Sequence, residues 1–186
     1  PIIKFIKETS STQVPISFNH WYNQFILRHY PEAHWPVHIT STVSKPENIY
    51  CGIETSPGYM PCCYIQAFGE IVIGDYTQIA PNVGIISTNH ELYDTRISIP
   101  SKVLIGKYGW IGMNSCILPG VTLGDFTVVG AGSVVTKSFP DGYCVIAGNP
   151  AKIIKKLDKN LCVPFKSKFE YRGYIPAEQM QGKKHL

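Results

Sequence analysis

The chain has 186 residues, enough for one domain with a hydrophobic core, and its net charge is only +4. The basic residues form no arginine-rich or aromatic-interleaved stripe, which argues against nucleic-acid binding. No apolar run reaches the length of a membrane-spanning helix, and no signal peptide is visible. The six cysteines show neither a C-x-x-C pair nor the spacing of a disulfide framework, so we expect a reduced, cytoplasmic protein with no membrane span.

Residues 1–36 are predicted to form an N-terminal segment with a capping helix. Ser17 is a favourable N-cap, and Tyr30-Pro31 is expected to end the helix. Apolar residues follow at helical spacing, namely Phe18, Trp21, Tyr22, Phe25 and Ile26. This aromatic face is suited to cover the exposed end of the unit that follows.

Residues 37–139 carry the dominant pattern of the chain, an aliphatic residue at every sixth position. Its strictest run is Ile99, Ile105, Ile111, Ile117, Leu123, Val129 and Val135. A period of six fits neither an α-helix nor a flat strand, and it is typical of a hexapeptide β-solenoid with one short strand per repeat. With three repeats per coil, Ile99, Ile117 and Val135 are expected to stack in one internal ladder.

Two segments interrupt the repeat. Residues 55–64 break the pattern and are predicted to form an irregular coil or loop. Between Ile85 and Ile99 the step is fourteen residues rather than twelve, and the intervening sequence is polar. This second break predicts a loop extruded at about residues 86–98, and it contains His90; the only other histidine of residues 37–139 is His38, at their start.

Residues 140–186 follow the repeat and are predicted to form a C-terminal strand, a short basic helix and a tail. The helix is expected from about Ala151 to Lys159. The tail, residues 161–186, is mixed aromatic and basic, and we expect it to pack on the solenoid or on a neighbouring subunit.

Four segments in this order resemble the hexapeptide-repeat acyltransferases, and within them the galactoside, maltose and capsule-type O-acetyltransferases. The segments are IGDYTQIAPNV (73–83), ISTNH (86–90), WIGMNSCILPGVTLGDFTVVGAGSVVTK (110–137) and IAGNPAKII (146–154). The resemblance implies a left-handed parallel β-helix, a homotrimer, and acetyl-CoA bound as acyl donor in the grooves between subunits. It implies no metal.

The same resemblance assigns the site residues. The histidine of the family's T-G-H segment falls on His90, the catalytic base, with Asn89 in place of the usual glycine. The residues assigned to the cofactor are Trp110, Met113, Ala131, Gly132, Thr136, Lys137 and Lys152, where Met113 replaces a residue that is often serine. Gln66, Asn89 and Tyr93 are assigned to the acceptor.

Acetyl transfer from a thioester to a hydroxyl needs a base, donors for the developing oxyanion, and a hold on the CoA arm. A histidine titrates near neutral pH and suits the first role, and Glu91 or Asp94 is placed to orient the ring of His90. Taken alone, His90 would be interpreted as an ordinary surface-loop histidine, but the motif and the break in the repeat favour a catalytic role. Lys137 and Lys152 are also compatible with solvated charges. A covalent route through Cys116 is disfavoured, because its motif contains no histidine.

The predicted function is therefore acetyl-CoA-dependent O-acetylation of a sugar or polysaccharide precursor. N-acetylation of an amino sugar, acetylation of an antibiotic or other xenobiotic, and a non-catalytic assembly module are the alternatives. A γ-type carbonic anhydrase on the same solenoid needs three converging histidines to bind zinc, and residues 37–139 contain only two, His38 and His90.

Overall fold

The computed structural model describes residues 2–180; residue 1 and residues 181–186, the end of the predicted tail, lie outside the described part. The helices are α1 (Ile2–Thr9) and α2 (Phe18–Trp21), which continues as a π-helical turn (Tyr22–Ile26), and 3₁₀ turns at Pro46–Asn48, Lys159–Leu161 and Ala177–Met180. The first nine strands are β1 (Thr42–Ser44), β2 (Ile49–Cys51), β3 (Tyr64–Gln66), β4 (Ile71–Ile73), β5 (Gln78–Ile79), β6 (Gly84–Ile86), β7 (Thr88–His90), β8 (Ser98–Pro100) and β9 (Val103–Ile105). The others are β10 (Trp110–Ile111), β11 (Cys116–Ile117), β12 (Thr122–Leu123), β13 (Thr127–Val129), β14 (Val134–Val135), β15 (Cys144–Gly148), β16 (Ala151–Lys156), β17 (Tyr171–Arg172) and β18 (Ile175–Pro176).

Most of these strands belong to three sheets that the chain visits in rotation. Sheet 1 contains β1, β3, β6, β11 and β14; sheet 2 contains β2, β4, β9 and β12; sheet 3 contains β5, β10, β13 and β15, with β16 at its edge. All neighbours pair in parallel except β16, which pairs antiparallel with β15. Each coil therefore stacks on the preceding one, which confirms the predicted all-β architecture with parallel sheets.

The six-residue pattern places the aliphatic side chains inside. In sheet 1, Ile65 pairs with Ile85, Ile85 with Ile117, and Ile117 with Val135, and all four side chains are fully buried. Burial of such ladders of branched side chains is the main stabilising contribution of the fold.

The predicted place of Ile99 in this ladder is wrong. Ile99 lies in β8, pairs antiparallel with Asn89 and is 45% exposed, and Ile85 occupies the ladder position below Ile117. The loop is longer than expected: the coil leaves at Ser87 and resumes at Ser101, whose N–H donates to the Ser87 carbonyl. The six-residue spacing from Ile99 to Ile105 is a coincidence at the end of an insertion.

The N-terminal cap forms as predicted at its start and differs at its end. Ser17 Oγ accepts the His20 N–H, and His20 Nδ1 accepts the Ser17 N–H. The helical segment ends at Ile26 rather than at Tyr30. Its predicted covering face is exposed at Phe18, Tyr22 and Ile26. The end of the solenoid is closed instead by buried Trp35, whose Nε1–H donates to the Pro57 carbonyl.

The predicted helix over residues 151–159 is wrong. Residues 151–156 form β16, which turns back at Gly148 and pairs with β15. Two β-branched residues, Ile153 and Ile154, favour a strand once a hairpin partner is available.

Three corners join the sheets, and two of them carry the predicted site. We call the corner between sheets 3 and 1 the stacked-turn corner (residues 80–82, 112–114 and 130–132), and the corner between sheets 1 and 2 the hairpin corner (residues 67–69, 87–101, 118–120 and 136–138). At the third, the aromatic corner, four rings stack along the solenoid, namely Tyr76, Tyr108, Phe126 and Tyr143.

Candidate active site

The hairpin corner presents His90 on a two-stranded extension. β7 and β8 pair antiparallel, with His90 opposite Ser98 and Asn89 opposite Ile99. His90 and Asn89 are exposed, and Tyr93 is 98% exposed at the tip. The hairpin starts at Ser87, which is fully buried in the coil. The position of β7 is therefore fixed at its start, while the side chains of Asn89 and His90 remain accessible.

The two carboxylates considered as partners of His90 are engaged within the loop instead. Glu91 Oε2 accepts the N–H groups of Tyr93 and Asp94. Asp94 accepts two hydrogen bonds at 2.8 Å from the Arg96 guanidinium. Both carboxylates therefore shape the turn of the hairpin.

Two buried oxygens without partners lie at the hairpin corner. Among the described residues, neither Gln66 Oε1 nor Thr88 Oγ1 has a hydrogen-bond partner. Thr88 lies two residues before His90 in β7, so the two side chains point to the same face of the strand. Gln66 is joined to the root of the hairpin, because its carbonyl accepts the Ser87 N–H. Such orphaned buried oxygens are costly in a finished fold and are suited to bind an acceptor molecule.

Thr136 and Lys137 lie at the same corner, directly after β14, and both are exposed. Lys137 has a free ammonium within the described part of the chain, since no ion pair involves it there. A lysine in this setting is a suitable contact for phosphate.

The stacked-turn corner carries the remaining glycine-rich motif. Met113 and Ala131 occupy equivalent turns in successive coils, and the Gly132 N–H donates to the Met113 carbonyl. Within residues 2–180 the N–H groups of Met113 and Ala131 have no hydrogen-bond partner, and both residues are exposed. Gly132 has φ +69°, and the space where its Cβ would lie is open. The corner thus offers two stacked backbone N–H groups, without partners in the described chain and carried by exposed residues, which fits the amide-bearing arm of CoA and a developing oxyanion.

Lys152 and Trp110 flank these turns. Lys152 lies in β16 opposite Ala147, and its side chain is exposed. Trp110 lies in β10 between Gln78 and Val128 of the adjoining strands and is 56% exposed. Trp110 is therefore a surface platform of sheet 3 rather than a core residue.

The predicted site residues thus fall into two groups, one near each of the two corners that flank the strands of sheet 1. The strand β14 runs from one to the other, with Gly132 before it and Thr136 after it. At about 3.3 Å per residue, roughly 13 Å of backbone separates these two positions. Within one chain the predicted base is therefore apart from the donor turns, and Lys137 is apart from Lys152.

Neither Cys116 nor Cys51 is suited to be the nucleophile of a covalent route. Burial raises the pKa of the Cys116 thiol, and burial likewise raises the pKa of Cys51, to about 12. A thiol that stays protonated near neutral pH is a poor nucleophile.

Sequence reasoning missed Thr88, Ser56 and Gln13. Thr88 has a sequence signal, since it lies two residues before the motif histidine. Ser56 and Gln13 each hold a buried oxygen without a partner among the described residues and line a cavity next to Trp110. Nothing in the six-residue pattern marks either residue, because both lie outside the regular repeats.

Within residues 2–180, no helix is long and apolar enough to cross a membrane. In the same part of the chain, no group of three histidine, cysteine, aspartate or glutamate residues is arranged to hold a metal ion.

Comparisons with known proteins agree with this geometry. A family model described as bacterial transferase hexapeptide (six repeats) matches residues 102–137. Galactoside O-acetyltransferase of Escherichia coli (strain K12) is 41% identical over 92 residues, covering 47% of this chain and 45% of that protein. The chain thus spans about half the length of the curated relatives it matches.

Two solved structures match over most of the chain. A maltose O-acetyltransferase from Clostridium difficile 630 superposes with a TM-score of 0.65 and 30% identity, covering 84% of this chain and 86% of that one. A galactoside acetyltransferase in complex with coenzyme A superposes with a TM-score of 0.58 and 29% identity, covering 75% and 70%. Together with the repeat and its three parallel sheets, these matches show that the chain belongs to the bacterial hexapeptide transferase family.

Proposed function

We propose that this chain is an acetyl-CoA-dependent O-acetyltransferase that acts on a hydroxyl of a sugar or polysaccharide precursor. The observation that carries the proposal is the pair of exposed corners: one presents His90 together with two buried oxygens that have no partner in the described chain, and the other presents two stacked N–H groups without partners there. The names of the relatives, a galactoside and a maltose O-acetyltransferase, support the reaction and the acceptor class.

In this mechanism His90 removes the proton of the acceptor hydroxyl as its oxygen attacks the thioester carbonyl. The N–H groups of Met113 and Ala131 are the candidate donors for the carbonyl oxygen and the CoA arm. The CoA thiolate leaves and takes the proton from the imidazolium, so no covalent enzyme intermediate forms. Gln66 and Thr88 hold the acceptor beside His90.

We further propose that the active unit is a homotrimer of left-handed β-helices. A site that needs both corners is incomplete within one chain, and a neighbouring copy supplies the missing corner. Lys137 of one copy and Lys152 of the next then both face the nucleotide end of acetyl-CoA. The six free cysteines favour a reducing compartment, in keeping with a cytoplasmic enzyme.

Thiol release from acetyl-CoA tests the proposal when it is measured against free sugars, nucleotide sugars, amino sugars and aminoglycoside antibiotics. We expect release with a hydroxyl acceptor and a product that mild alkali cleaves, as it does an ester. An alkali-stable product formed only with amines contradicts O-acetylation. A protein that neither binds acetyl-CoA nor releases thiol with any acceptor is a non-catalytic solenoid.

A further inference from the structure

Two adjoining cavities lie on the outer side of sheet 3, on either side of Trp110. The smaller has a volume of about 170 Å³, and the larger about 390 Å³. Both are lined by Gln13, Gln78 and Trp110, so they form one continuous surface.

The smaller cavity lies at the lower end of the stacked-turn corner. Ala80 and Pro81 form part of its wall, and the Asn114 N–H donates to the Pro81 carbonyl, so this turn is directly below the Met113 turn. A group bound there lies one coil below the Met113 turn, and so close to the N–H groups of Met113 and Ala131. The lining of this cavity includes no charged residue of the described chain, so it suits an uncharged acceptor better than the phosphate-bearing end of the donor.

The smaller cavity has the size and polarity for one sugar ring. A cavity of about 150 Å³ accommodates one six-membered ring, which makes 170 Å³ sufficient. Ser56, only 6% exposed, and Gln13 each contribute a buried oxygen with no partner among the described residues. Ser56 lines the cavity, and a ligand hydroxyl there can supply the partner that its Oγ lacks within the described protein.

The larger cavity is lined by aromatic rings, and the C-terminal tail completes it. Phe165 packs against Tyr76 and Tyr108 with ring centroids 4.8 and 5.6 Å apart. The Tyr108 hydroxyl donates to the Phe165 carbonyl at 3.0 Å, which fixes the tail over the hollow. Phe126 forms a further part of the lining. Tyr108 and Phe126 stack on neighbouring rings along the solenoid and so present their edges to the hollow. Trp110 and Phe165 remain exposed, and such exposed aromatic rings pack against the C–H faces of sugar rings.

Neither cavity is lined by a charged residue of the described chain. An anionic or cationic ligand would lose its hydration there without gaining a counter-charge. The occupant that fits is uncharged, offers hydroxyl groups and extends beyond one ring.

We propose that these two cavities are successive subsites for an uncharged oligosaccharide, so that the acceptor is a glycan chain rather than a monosaccharide. The ring in the smaller cavity hydrogen-bonds Ser56 and Gln13, and the next ring packs in the larger cavity against the exposed rings of Trp110 and Phe165. The inference rests on the proposed function for the identity of the acceptor, but the binding surface itself lies within one chain.

Binding to an array of neutral and anionic mono- to hexasaccharides tests the proposal, followed by calorimetric titration of the best-bound glycan. We expect neutral chains of two or more rings to bind about tenfold or more tightly than the corresponding monosaccharide. Phe165→Ala is expected to weaken chain binding about 3- to 10-fold, the range for one aromatic contact. Ser56→Ala is expected to weaken it about 2- to 10-fold, the range for one neutral hydrogen bond.

Phe169→Ala is the matched control, because Phe169 belongs to the same tail and lines neither cavity. Its affinity should equal that of the unsubstituted protein. Ser56→Ala removes no hydrogen bond within the described protein, so misfolding is not expected to confuse its result. Melting temperatures of all variants check this.

Absence of glycan binding, a preference for anionic chains, or unchanged affinity in both Phe165→Ala and Ser56→Ala overturns the proposal. The outcome is separable from that of the proposed function. Neutral chains that bind without being acetylated refute the function and retain the subsites. Acetylation of a monosaccharide, with no tighter binding of a longer chain, supports the function and refutes the subsites.

Discussion

The N–H of Ser101 donates to the carbonyl of Ser87 at 2.7 Å, and this bond closes the coil beneath the hairpin. Ser87 is fully buried, and its hydroxyl accepts the Gly69 N–H at 2.9 Å, so the root of the hairpin is tied to the coil below as well. The insertion therefore leaves the stack of coils undisturbed while it projects His90 outward. A rigid scaffold carries an accessible reactive group at a defined point.

His90→Ala is expected to lower turnover by about 10²–10⁴-fold, the usual contribution of a positioned acid–base group. Acetyl-CoA binding should change little, because the proposed contact of the imidazole is with the acceptor hydroxyl rather than with the nucleotide. Stopped assays of thiol release, with donor affinity measured by calorimetry, give both quantities.

His90→Asn is the control, since it keeps a polar side chain on the hairpin and should be nearly as inactive as His90→Ala. A folded His90→Ala protein that retains most of its turnover on the true acceptor excludes His90 as the base.

The repeat made the interior of the fold predictable, because a fixed spacing of eighteen residues sets the ladder from Ile117 to Val135. The predicted position of Ile99 was wrong because a repeat shows where a loop interrupts it but not how many residues the loop contains. The predicted helix that includes residues 151–156 was wrong for a different reason. The composition of this segment suits a helix or a strand, and its pairing with β15 decides between them.

The site residues likewise divide into those that could be identified from the sequence and those that could not. His90, Met113 and Ala131 were identifiable because each lies in a local motif. Gln13 and Phe165 were not, because their positions depend on distant contacts. The Gln13 N–H donates to Glu54, and Phe165 is held by Tyr108. Such long-range pairings leave no periodic signal in the sequence.

Lys137→Ala and Lys152→Ala are each expected to raise the KM for acetyl-CoA, by about tenfold, with a smaller effect on kcat. Each removes a charge-assisted contact to phosphate that is similar in the ground state and the transition state. Steady-state kinetics with acetyl-CoA varied at saturating acceptor separate the two effects. Lys45→Ala, an exposed lysine at the opposite end of the solenoid, is the control and should leave both constants unchanged. If kcat falls while the KM for acetyl-CoA is unaltered, these lysines do not contact the nucleotide end.

Asp75 should make the fold sensitive to acid. Burial alone would raise its pKa, but the N–H of Ile53 and the Lys107 ammonium, both at 2.9 Å, outweigh burial and hold the pKa of Asp75 below its usual value. A lowered folded-state pKa gives a stabilisation that is present above the unfolded pKa of about 4 and is lost as pH falls through the folded value. Stability should therefore decline below about pH 4.

Asp75→Asn is expected to lower the free energy of unfolding at neutral pH by about 1–3 kcal/mol and to flatten the decline in acid. Urea unfolding at several pH values measures both. Asp141→Asn, at an exposed carboxylate of the same solenoid, should show neither effect. If the acid slope of Asp75→Asn matches that of the unsubstituted protein, another group causes it.

The division of the site between two corners gives the sharpest test of assembly. His90→Ala disables the hairpin corner, and Ala131→Trp covers the donor turns with a bulky side chain at an exposed position. Each variant alone should be inactive. If neighbouring copies share each site, unfolding and refolding the two together at equal amounts creates sites that pair one intact corner from each variant.

Random mixing in a closed ring of three should restore about a quarter of the sites. The control mixes His90→Ala with a chain that carries both substitutions, in which no intact hairpin corner exists and no activity should return. Analytical ultracentrifugation of the same samples reports the number of chains. If the two single variants form mixed trimers that remain inactive, each chain holds its own complete site, and the shared-site arrangement is wrong.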